Sequence, residues 1–514
     1  MTLGVSFQNN QKKQKGEKSP FYFFDFYVIM RVTVNFLALQ GVLEVSMIFR
    51  PKYYEKKEGQ FALSEQISAV AHPCLYKEVI REFWRNFAFQ SSEISFCETR
   101  DYIFSVGNAE KLPLDGYSYT INVKEDGICL FAEDCGALVK GFMALLDLMK
   151  PIDRGEITGA VLDCCELKDR PSVAERMVHF CVFPETEIWE IKRFIRFCGA
   201  LKYTHVVLEF WGMLRYDCLR ELAWESAFSK EEILPIIREA NELGLEIVPM
   251  FNQWGHASSG RVMHGKHVVL DQNPRLQSYF SEDGWCWDIR KEKVKILLRE
   301  IRKELTALCG EGKYFHIGCD EAYHFGFSDE QMTAICDFIN GIGAELAAEN
   351  RRVMIWGDMF LYRHAHYHPK NRYTCNAPSA DAEKEMLRRL DRRIVIADWQ
   401  YNAPIAPVET SEVFKKAGFD CFLCPWDVGE AQMKSAISTV KTQALDGFLH
   451  TTWHTLSSGM PFVLLAAVCG FDRECEWDLV GARTYTAAVL RKVMPVGGDY
   501  RKAGWSKVQI SCKW

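Results

Sequence analysis

Two acidic residues stand side by side near the middle of the chain. The stretch YFHIGCDEAYHFG (314–326) begins as an apolar run typical of a β-strand and then places Asp320 next to Glu321. Adjacent carboxylates repel, so the ionisation of one raises the pKa of the other. A carboxylic acid with a raised pKa can donate a proton near neutral pH, while its ionised neighbour stabilises positive charge. The pair therefore predicts acid–base chemistry with divided roles.

The strand before this pair belongs to a regular alternation of strand-like runs and amphipathic helices. One of these helices carries a capping box from Ser229 to Glu232. The strand candidates number eight and cover residues 176–183, 204–210, 245–251, 313–318, 352–357, 393–399, 420–426 and 447–453. Eight βα units predict a (β/α)8 TIM barrel. An open doubly wound sheet would usually carry a glycine-rich phosphate turn after its first strand, and HFCVFPETE has none.

The chain of 514 residues is long enough for this barrel and a further domain. Residues 47–155 predict a small α+β domain, with two strands around a turn at Asp126 and Gly127. The polar stretch KPIDRGEITG is interpreted as the link to the barrel. We assign residues 165–470 to the catalytic barrel and residues 471–514 to a C-terminal segment.

Residues 1–46 are interpreted as an N-terminal extension of unknown role. Their apolar tract is interrupted by Asp25, Arg31 and Glu44, so no stable membrane span is expected, although export is left open. Nineteen cysteines with irregular spacing argue against a secreted disulfide framework and favour reduced thiols in the cytoplasm. With a net charge of -6 and no long basic cluster, the chain is not expected to bind nucleic acid.

The barrel prediction places the active site at the carboxyl ends of the strands. Carboxylates and aromatic rings predominate at those positions. The residues that follow the predicted strands include Glu209, Trp211, Asn252, Gln253, His256, Asp320, Glu321, Trp356, Asp358, Asp398, Trp399, Tyr401, Trp426, Asp427, Trp453 and His454. Flat indole faces suit the CH faces of a sugar ring, and carboxylates accept hydrogen bonds from its hydroxyls. The ring of residues therefore predicts a carbohydrate site.

Several segments resemble one family of carbohydrate enzymes. HIGCDE (316–321) closely resembles the H-x-G-G-D-E signature of family 20 glycoside hydrolases, the β-N-acetylhexosaminidases, with Cys319 at the second glycine. The stretches FNQWGHAS, IWGDM, ADWQY and HTTW resemble other strand ends of that family. The stretch DGYSYTINVKEDGICLFAEDCGALVKGFMALLDLM is similar to its non-catalytic α+β domain, so the likeness spans roughly residues 50 to 460.

The resemblance implies removal of a terminal β-linked N-acetylhexosamine by a retaining, substrate-assisted mechanism. The 2-acetamido oxygen of the sugar attacks its own anomeric carbon and gives an oxazolinium intermediate, so the enzyme supplies no nucleophile. By the family match, Glu321 is the general acid and later the base, Asp320 orients the acetamide, and Tyr401 holds the acetamide oxygen. His256 matches a histidine that tunes the proton on the acid. The implied walls of the sugar pocket are Trp356, Trp399 and Trp453.

The chain differs from the family at positions that bind the hydroxyl groups of the sugar. Pro184 and Glu185 follow the first strand in place of an arginine, and Arg176 is predicted at the wrong end of the barrel. The second strand lacks the usual paired acids, which leaves Glu209 or Asp217 to replace them. The identity of the hexosamine stays open. The remaining candidates for sugar contacts are Glu209, Asp358, Trp426 and Asp427.

Two other functions are compatible with the same residues. One is a carbohydrate-binding barrel without catalytic activity, and the other is a conventional two-carboxylate glycosidase that pairs Glu321 with Asp358 or Asp427. The favoured mechanism requires no metal and no cofactor. The expected partner is a small-molecule or oligosaccharide substrate that ends in an N-acetylhexosamine.

Overall fold

The computed structural model describes residues 47–96, 114–154, 157–258, 269–323, 328–453 and 456–494. Its first part is an antiparallel sheet in the order β1–β7–β4–β5, with β6 paired to β7, beside a two-stranded parallel sheet of β2 and β3. The strands are β1 Tyr53–Ala62, β2 Gln66–Ala69, β3 Glu93–Phe96, β4 Tyr119–Lys124, β5 Gly127–Ala132, β6 Lys150–Arg154 and β7 Ile157–Asp169. Helices α1 (Glu78–Phe87) and α2 (Cys135–Asp147) complete the predicted α+β arrangement.

The segment predicted as a link differs from that interpretation. Residues 150–154 form β6 and residues 157–159 begin β7, and the two strands pair antiparallel. Pro151 is tolerated there because β6 pairs with β7 alone, and a proline on an edge strand costs no ladder hydrogen bond. The domain boundaries proposed from the sequence stay predictions.

Eight parallel strands then close into a barrel, which confirms the predicted fold class. Neighbouring strands follow chain order from β8 to β15, and β15 closes onto β8. The strands are β8 Glu175–Cys181, β9 His205–Glu209, β10 Glu246–Met250, β11 Tyr314–His316, β12 Arg352–Trp356, β13 Val395–Trp399, β14 Asp420–Cys424 and β15 Gly447–His450. Each lies within a strand predicted from the sequence or within one residue of it.

The barrel strands read as apolar runs because helices cover their outer faces. The helices of this part are α3 Ile188–Ala200, α4 Lys230–Glu242, α5 Val269–Gln272, α6 Glu292–Cys309, α7 Asp329–Ala347, α8 Ala380–Arg389, α9 Thr410–Lys416, α10 Glu430–Thr442, α11 Leu456–Phe471 and α12 Leu479–Val493. The capping box of α4 is present, with Ser229 and Glu232 satisfying one another's backbone N–H groups. Inside the barrel, alternate residues such as Met177, Val248 and Phe422 form a buried core.

Two further expectations bear on the environment of the protein. Cys469 and Cys475 form a disulfide bond, which differs from the expectation that the thiols are reduced, while fifteen other cysteines of the described residues are free. Among the described residues, no helix combines the length and apolar character needed to cross a bilayer. The apolar tract of residues 1–46 lies outside the described residues, and the cytoplasmic localisation stays a prediction.

Candidate active site

A tight turn after β11 presents the acid pair. Gly318, Cys319 and Glu321 have φ angles of 63°, 72° and 53°, in the left-handed region that side chains rarely adopt. A Cβ on Gly318 would lie 1.6 Å from Oδ1 of Asn252, so only glycine fits. Cys319, which stands where a second glycine was expected, takes the same conformation with its side chain buried. The local strain is what brings two successive acids to the rim of the barrel.

Asp320 is buried against the end of β10. Its Oδ1 accepts a hydrogen bond from Asn252 Nδ2 at 3.4 Å, and its Oδ2 lies 3.2 Å from His256 Nδ1. Burial alone would lower the pKa of His256, but the hydrogen bond and the charge of Asp320 outweigh it and raise that pKa to about 9. The two side chains thus form an ion pair at neutral pH. His256 was expected beside Glu321, and the structure instead brings it to Asp320.

Glu321 occupies a different environment one residue later. Partial burial raises the pKa of its carboxyl group, and the charge of Asp320 raises it further, whereas His256 and a hydrogen bond from Tyr323 act in the opposite direction. Its backbone is held at both ends: its N–H donates to Asp358 Oδ2 at 3.1 Å, and its carbonyl accepts from Trp285 Nε1 at 2.6 Å. Burial and the charge of Asp320 therefore both favour the protonated form of the Glu321 carboxyl group.

Asp358, at the end of β12, connects this turn to the next strands. It is 1% exposed, and its carboxylate accepts hydrogen bonds from the Glu321 N–H, from Asn376 Nδ2 at 2.7 Å and from Trp399 Nε1 at 3.1 Å. Burial, followed by the charge of Asp320, raises its pKa to about 7. Asp358 was expected to bind the sugar. In the structure its hydrogen bonds hold the Glu321 backbone and Trp399, so Asp358 positions both groups, while a contact with the sugar stays a prediction.

Tyr401 is the centre of an aromatic cluster beyond β13. Its hydroxyl oxygen accepts a hydrogen bond from Trp453 Nε1 at 2.7 Å and lies 2.9 Å from Thr451 Oγ1, which is also 3.1 Å from the Pro425 carbonyl. Its ring lies 5.1 Å from that of Trp399 and 5.0 Å from that of Trp426. Asp427, which follows Trp426, is partly exposed. The structure thus brings together three of the predicted aromatic contacts around the predicted acetamide ligand.

Trp356 is buried more deeply than Trp399 and Trp453. It is fully buried in the core of the barrel, with its ring 4.2 Å from His316 and 5.7 Å from Trp453. Trp399 and Trp453 are partly buried and pack on that core. Trp356 therefore supports the wall of the site from below, and the prediction that it faces the sugar differs from its burial. His454 lies outside the described residues.

Glu209 is the acid that the second barrel strand contributes. It is buried, with Oε2 lying 3.1 Å from His179 Nε2 and accepting a hydrogen bond from Cys181 Sγ at 3.2 Å. It also lines a small pocket together with Trp211, Asn252 and His256. Asp217, the alternative acid, is exposed and pairs with Lys230. Of the two candidates, Glu209 alone lies at the site.

Several residues of the site were not predicted from the sequence. They are His179, Cys181, Trp285, Tyr323 and Asn376. His179 and Cys181 alternate along β8, and this period of two could have identified them as facing the barrel interior. Trp285, Tyr323 and Asn376 lie in loops, where no periodicity indicates which side chain faces the acids.

Two clusters of described residues have donor atoms close enough to hold a metal ion. They are His72, Cys74 and Cys135 near the surface, and the buried set His179, Cys181 and Glu209. In the buried set, Glu209 Oε2 contacts both His179 Nε2 and Cys181 Sγ. The acid pair and the tyrosine can carry out acid–base chemistry without a metal.

The comparisons with known proteins agree with this geometry. The model of the glycosyl hydrolase family 20 catalytic domain matches residues 207–402. Lacto-N-biosidase from Bifidobacterium bifidum is 21% identical over 280 residues, which cover 50% of this chain and 24% of that protein. Hexosaminidase D from Bos taurus is 27% identical over 128 residues, or 25% of this chain and 35% of that protein. The chain thus aligns with about a quarter to a third of the length of these relatives.

A solved structure extends the likeness to most of the fold. The crystal structure of a family 20 exo-β-N-acetylglucosaminidase from Vibrio harveyi superimposes with a TM-score of 0.62 at 14% identity, covering 86% of this chain and 76% of that one. At this identity the match establishes the shared architecture. Residues 207–402 thus match the glycosyl hydrolase family 20 catalytic domain, and they include the acid pair at the end of the fourth barrel strand.

Proposed function

We propose that this protein is a retaining exo-glycosidase that removes a terminal β-linked N-acetylhexosamine, using the acetamide group of the substrate as nucleophile. One observation carries the proposal. Asp320 and Glu321 lie next to one another at the carboxyl end of the barrel, where Asp320 is paired with the His256 cation while Glu321 has a raised pKa. A raised pKa suits Glu321 to donate a proton, and the chemistry needs a neighbouring carboxylate, here Asp320, to accept from the acetamide N–H.

In the first step, the acetamide oxygen attacks the anomeric carbon as the bond from that carbon to the leaving oxygen breaks. Glu321 gives its proton to the leaving oxygen, and Asp320 accepts a hydrogen bond from the acetamide N–H, which gains positive charge in the oxazolinium ion. In the second step, the Glu321 carboxylate removes a proton from water. The water oxygen bonds to the anomeric carbon, the oxazolinium ring opens, and the configuration is retained.

The hydrogen bonds of Tyr401 suit it to the first step. A phenol can accept two hydrogen bonds and donate one. Trp453 donates to the oxygen of Tyr401, and Thr451 can give its single proton to the Pro425 carbonyl, so the proton of Tyr401 can turn from Thr451 Oγ1 to the acetamide oxygen. A donor fixed in this way orients the internal nucleophile toward the anomeric carbon, and such positioning can remove about 7 kcal/mol or more of a barrier in the best cases.

The surroundings of Asp358 disfavour a conventional pair of catalytic carboxylates. A carboxylate nucleophile needs a free oxygen directed at the anomeric carbon. Both oxygens of Asp358 are engaged by N–H groups of Glu321, Asn376 and Trp399. A barrel that only binds sugar is disfavoured for a different reason, since binding alone gives no use for an acid whose pKa is raised at the mouth of the site.

Hydrolysis of aryl β-glycosides tests the proposal. We expect turnover of the N-acetylglucosamine or N-acetylgalactosamine derivative and none of the glucose derivative, because only the former carry the internal nucleophile. Asp320→Asn and Glu321→Gln should each lower kcat/KM by at least about a hundredfold, the usual scale for loss of acid catalysis. Comparable cleavage of the glucoside would reject the acetamide mechanism. Absence of any turnover would favour the binding protein.

A further inference from the structure

Three side chains of the α+β domain bring one nitrogen and two sulfur donors together outside the barrel. The donor atoms of His72, Cys74 and Cys135 all lie within 4.8 Å of one another, and His72 Nδ1 is 3.5 Å from Cys135 Sγ. In a tetrahedral zinc site, with Zn–S of about 2.3 Å and Zn–N of about 2.0 Å, neighbouring donors are about 3.5 to 3.8 Å apart. Shifts of about 1 Å or less therefore bring all three donors to one ion.

The helix that carries Cys135 fixes the position of this thiol. Cys135 is the first residue of α2, and the side chain of Asp134 caps the helix by accepting from the Ala137 N–H at 2.7 Å. The N–H groups at a helix N-terminus favour the thiolate form of a cysteine in the first turn. The position therefore suits a thiolate ligand, and the cap holds the first turn in place.

The other two residues flank a short turn that is anchored in the core. Pro73–Leu75 forms one turn of 3-10 helix, in which the His72 carbonyl accepts from the Leu75 N–H at 3.0 Å and the Leu75 side chain is buried. His72 Nδ1 also accepts from the Cys74 N–H at 3.3 Å. This contact directs the imidazole nitrogen toward Cys74, so both residues present their donor atoms to the beginning of α2.

The donor types select the cation. Imidazole nitrogen and thiolate sulfur suit zinc, whereas magnesium and calcium require oxygen ligands. Two thiolates also balance the charge of a divalent ion, which displaces their protons when it binds. His72 and Cys135 are exposed and Cys74 is partly buried, so an ion can enter from solvent and keep a water molecule as its fourth ligand.

We propose that His72, Cys74 and Cys135 bind one Zn²⁺ ion, which ties the segment before α1 to the beginning of α2. The ligands come from distant parts of the chain, and only the folded domain brings them together. Zinc binding therefore stabilises the folded domain. The site lies outside the barrel and takes no part in the proposed glycoside cleavage.

The test uses the full chain, reduced and freed of metal. It is titrated with Zn²⁺ in competition with a chromophoric chelator, and with Co²⁺ to record the near-ultraviolet absorption that thiolate ligands give to this ion. Cys74→Ser and Cys135→Ser each remove a thiolate. His72→Asn removes the imidazole, while its amide oxygen can still accept from the Cys74 N–H. The matched controls are Cys129→Ser on β5 of the same domain and Cys181→Ser in the buried set of the barrel.

We expect one Zn²⁺ per chain and thiolate absorption with Co²⁺. Each ligand variant should raise the Kd for zinc by at least about a hundredfold, more than the usual effect of losing a second-shell partner, and both controls should leave it unchanged. Zinc should also raise the unfolding temperature of the wild type and leave that of Cys74→Ser in place. Circular dichroism spectra that match the wild type establish that the variants are folded.

Three results would overturn the site. The first is that the reduced wild-type chain binds no stoichiometric zinc. The second is that zinc binding survives in Cys74→Ser and Cys135→Ser but is lost in Cys181→Ser, which would assign the ion to the buried set. The third is a disulfide bond between Cys74 and Cys135 that persists in reductant and excludes zinc.

Discussion

Replacement of Asp358 by asparagine separates a structural role for this carboxylate from a sugar-binding one. Its Oδ2 accepts from the Glu321 N–H and from Asn376, and its Oδ1 accepts from the Trp399 indole. An asparagine of the same shape has a single acceptor oxygen. At the position of Oδ2, that oxygen can accept from both the Glu321 N–H and Asn376. The new amide NH₂ then takes the position of Oδ1 and faces the indole N–H of Trp399. The substitution therefore places two donors against one another in a buried position.

The loss of one hydrogen bond to a charged group and the burial of an unsatisfied donor together cost about 2 kcal/mol. Urea denaturation should show this loss in the free energy of unfolding of Asp358→Asn. Because the displaced group is Trp399, whose ring lies 5.1 Å from that of Tyr401, kcat should fall as well. If Asp358 instead bound the sugar, the free energy of unfolding would be unchanged and KM would rise. That result would refute the positioning role.

The pH dependence of stability gives a second measurement. The pKa of Asp358 is raised to about 7 in the folded protein, so the native state keeps a proton that the unfolded chain releases from about pH 4 upward. This contribution to stability is present in acid and is lost as pH rises through 7. Asp358→Asn lacks it, so the difference in unfolding free energy between wild type and variant should shrink from pH 5 to pH 8. A constant difference would contradict the assignment.

Asp398 supplies a matched control. It is buried at the end of the next strand, where it accepts hydrogen bonds from Gln400 at 2.8 Å and from Thr410 at 2.6 Å. These two hydrogen bonds do not involve Asp320 or Glu321. Asp398→Asn should lower stability by a similar amount while leaving the pH profile of kcat/KM in place. A shift of that profile in both variants would indicate a general effect of strain in the barrel.

Three further predictions concern other parts of the molecule. His256→Gln removes the cation that lowers the pKa of Glu321, so the alkaline limb of kcat/KM should move to higher pH; an unmoved limb would show that His256 does not act through its charge. Tyr401→Phe should lower kcat/KM for N-acetylhexosaminides by about a hundredfold or more, measured against a circular dichroism check of folding, and a loss confined to KM would contradict its role in orienting the nucleophile. Arg176→Met leaves three carbonyl groups without their donor at the opposite end of the barrel and should cost about 3 kcal/mol of stability in urea titrations, with KM unchanged. A raised KM would instead connect Arg176 to the sugar.

The barrel could be predicted from the sequence because both faces of each strand are buried. His205–Glu209, for example, is buried along its whole length, and such strands appear as short apolar runs between amphipathic helices. The strands within residues 150–159 were predicted as a link because their sequence is not a buried apolar run. They lie in an antiparallel sheet and include a proline and a glycine, which are typical of turns when the partner strand is unknown.

Candidate residues were predictable where the fold alone fixes their location. Asp320, Glu321 and Tyr401 follow strand ends, and the barrel rule places strand ends at the active site. The role of Asp358 was not predictable, since it depends on Asn376 and Trp399, which approach from other parts of the chain. A strand-end position indicates that a side chain is near the site and leaves open whether it faces the ligand or holds its neighbours.

The catalytic end of the barrel concentrates backbone conformations that are unfavourable for ordinary residues. Trp211, His256, Cys319 and Glu321 all have φ between 50° and 72°, and a Cβ on Gly255 would lie 1.9 Å from the Asp320 carbonyl. Such conformations persist only where surrounding contacts outweigh their cost, about 1–3 kcal/mol each. Here those contacts are the bonds that fix the acid pair, from Asp358 to the Glu321 N–H and from Trp285 to its carbonyl. The strain and the raised pKa of Glu321 therefore have one origin. A relaxed turn would release Glu321 from its partly buried position beside Asp320, and with it the elevated pKa on which proton donation depends.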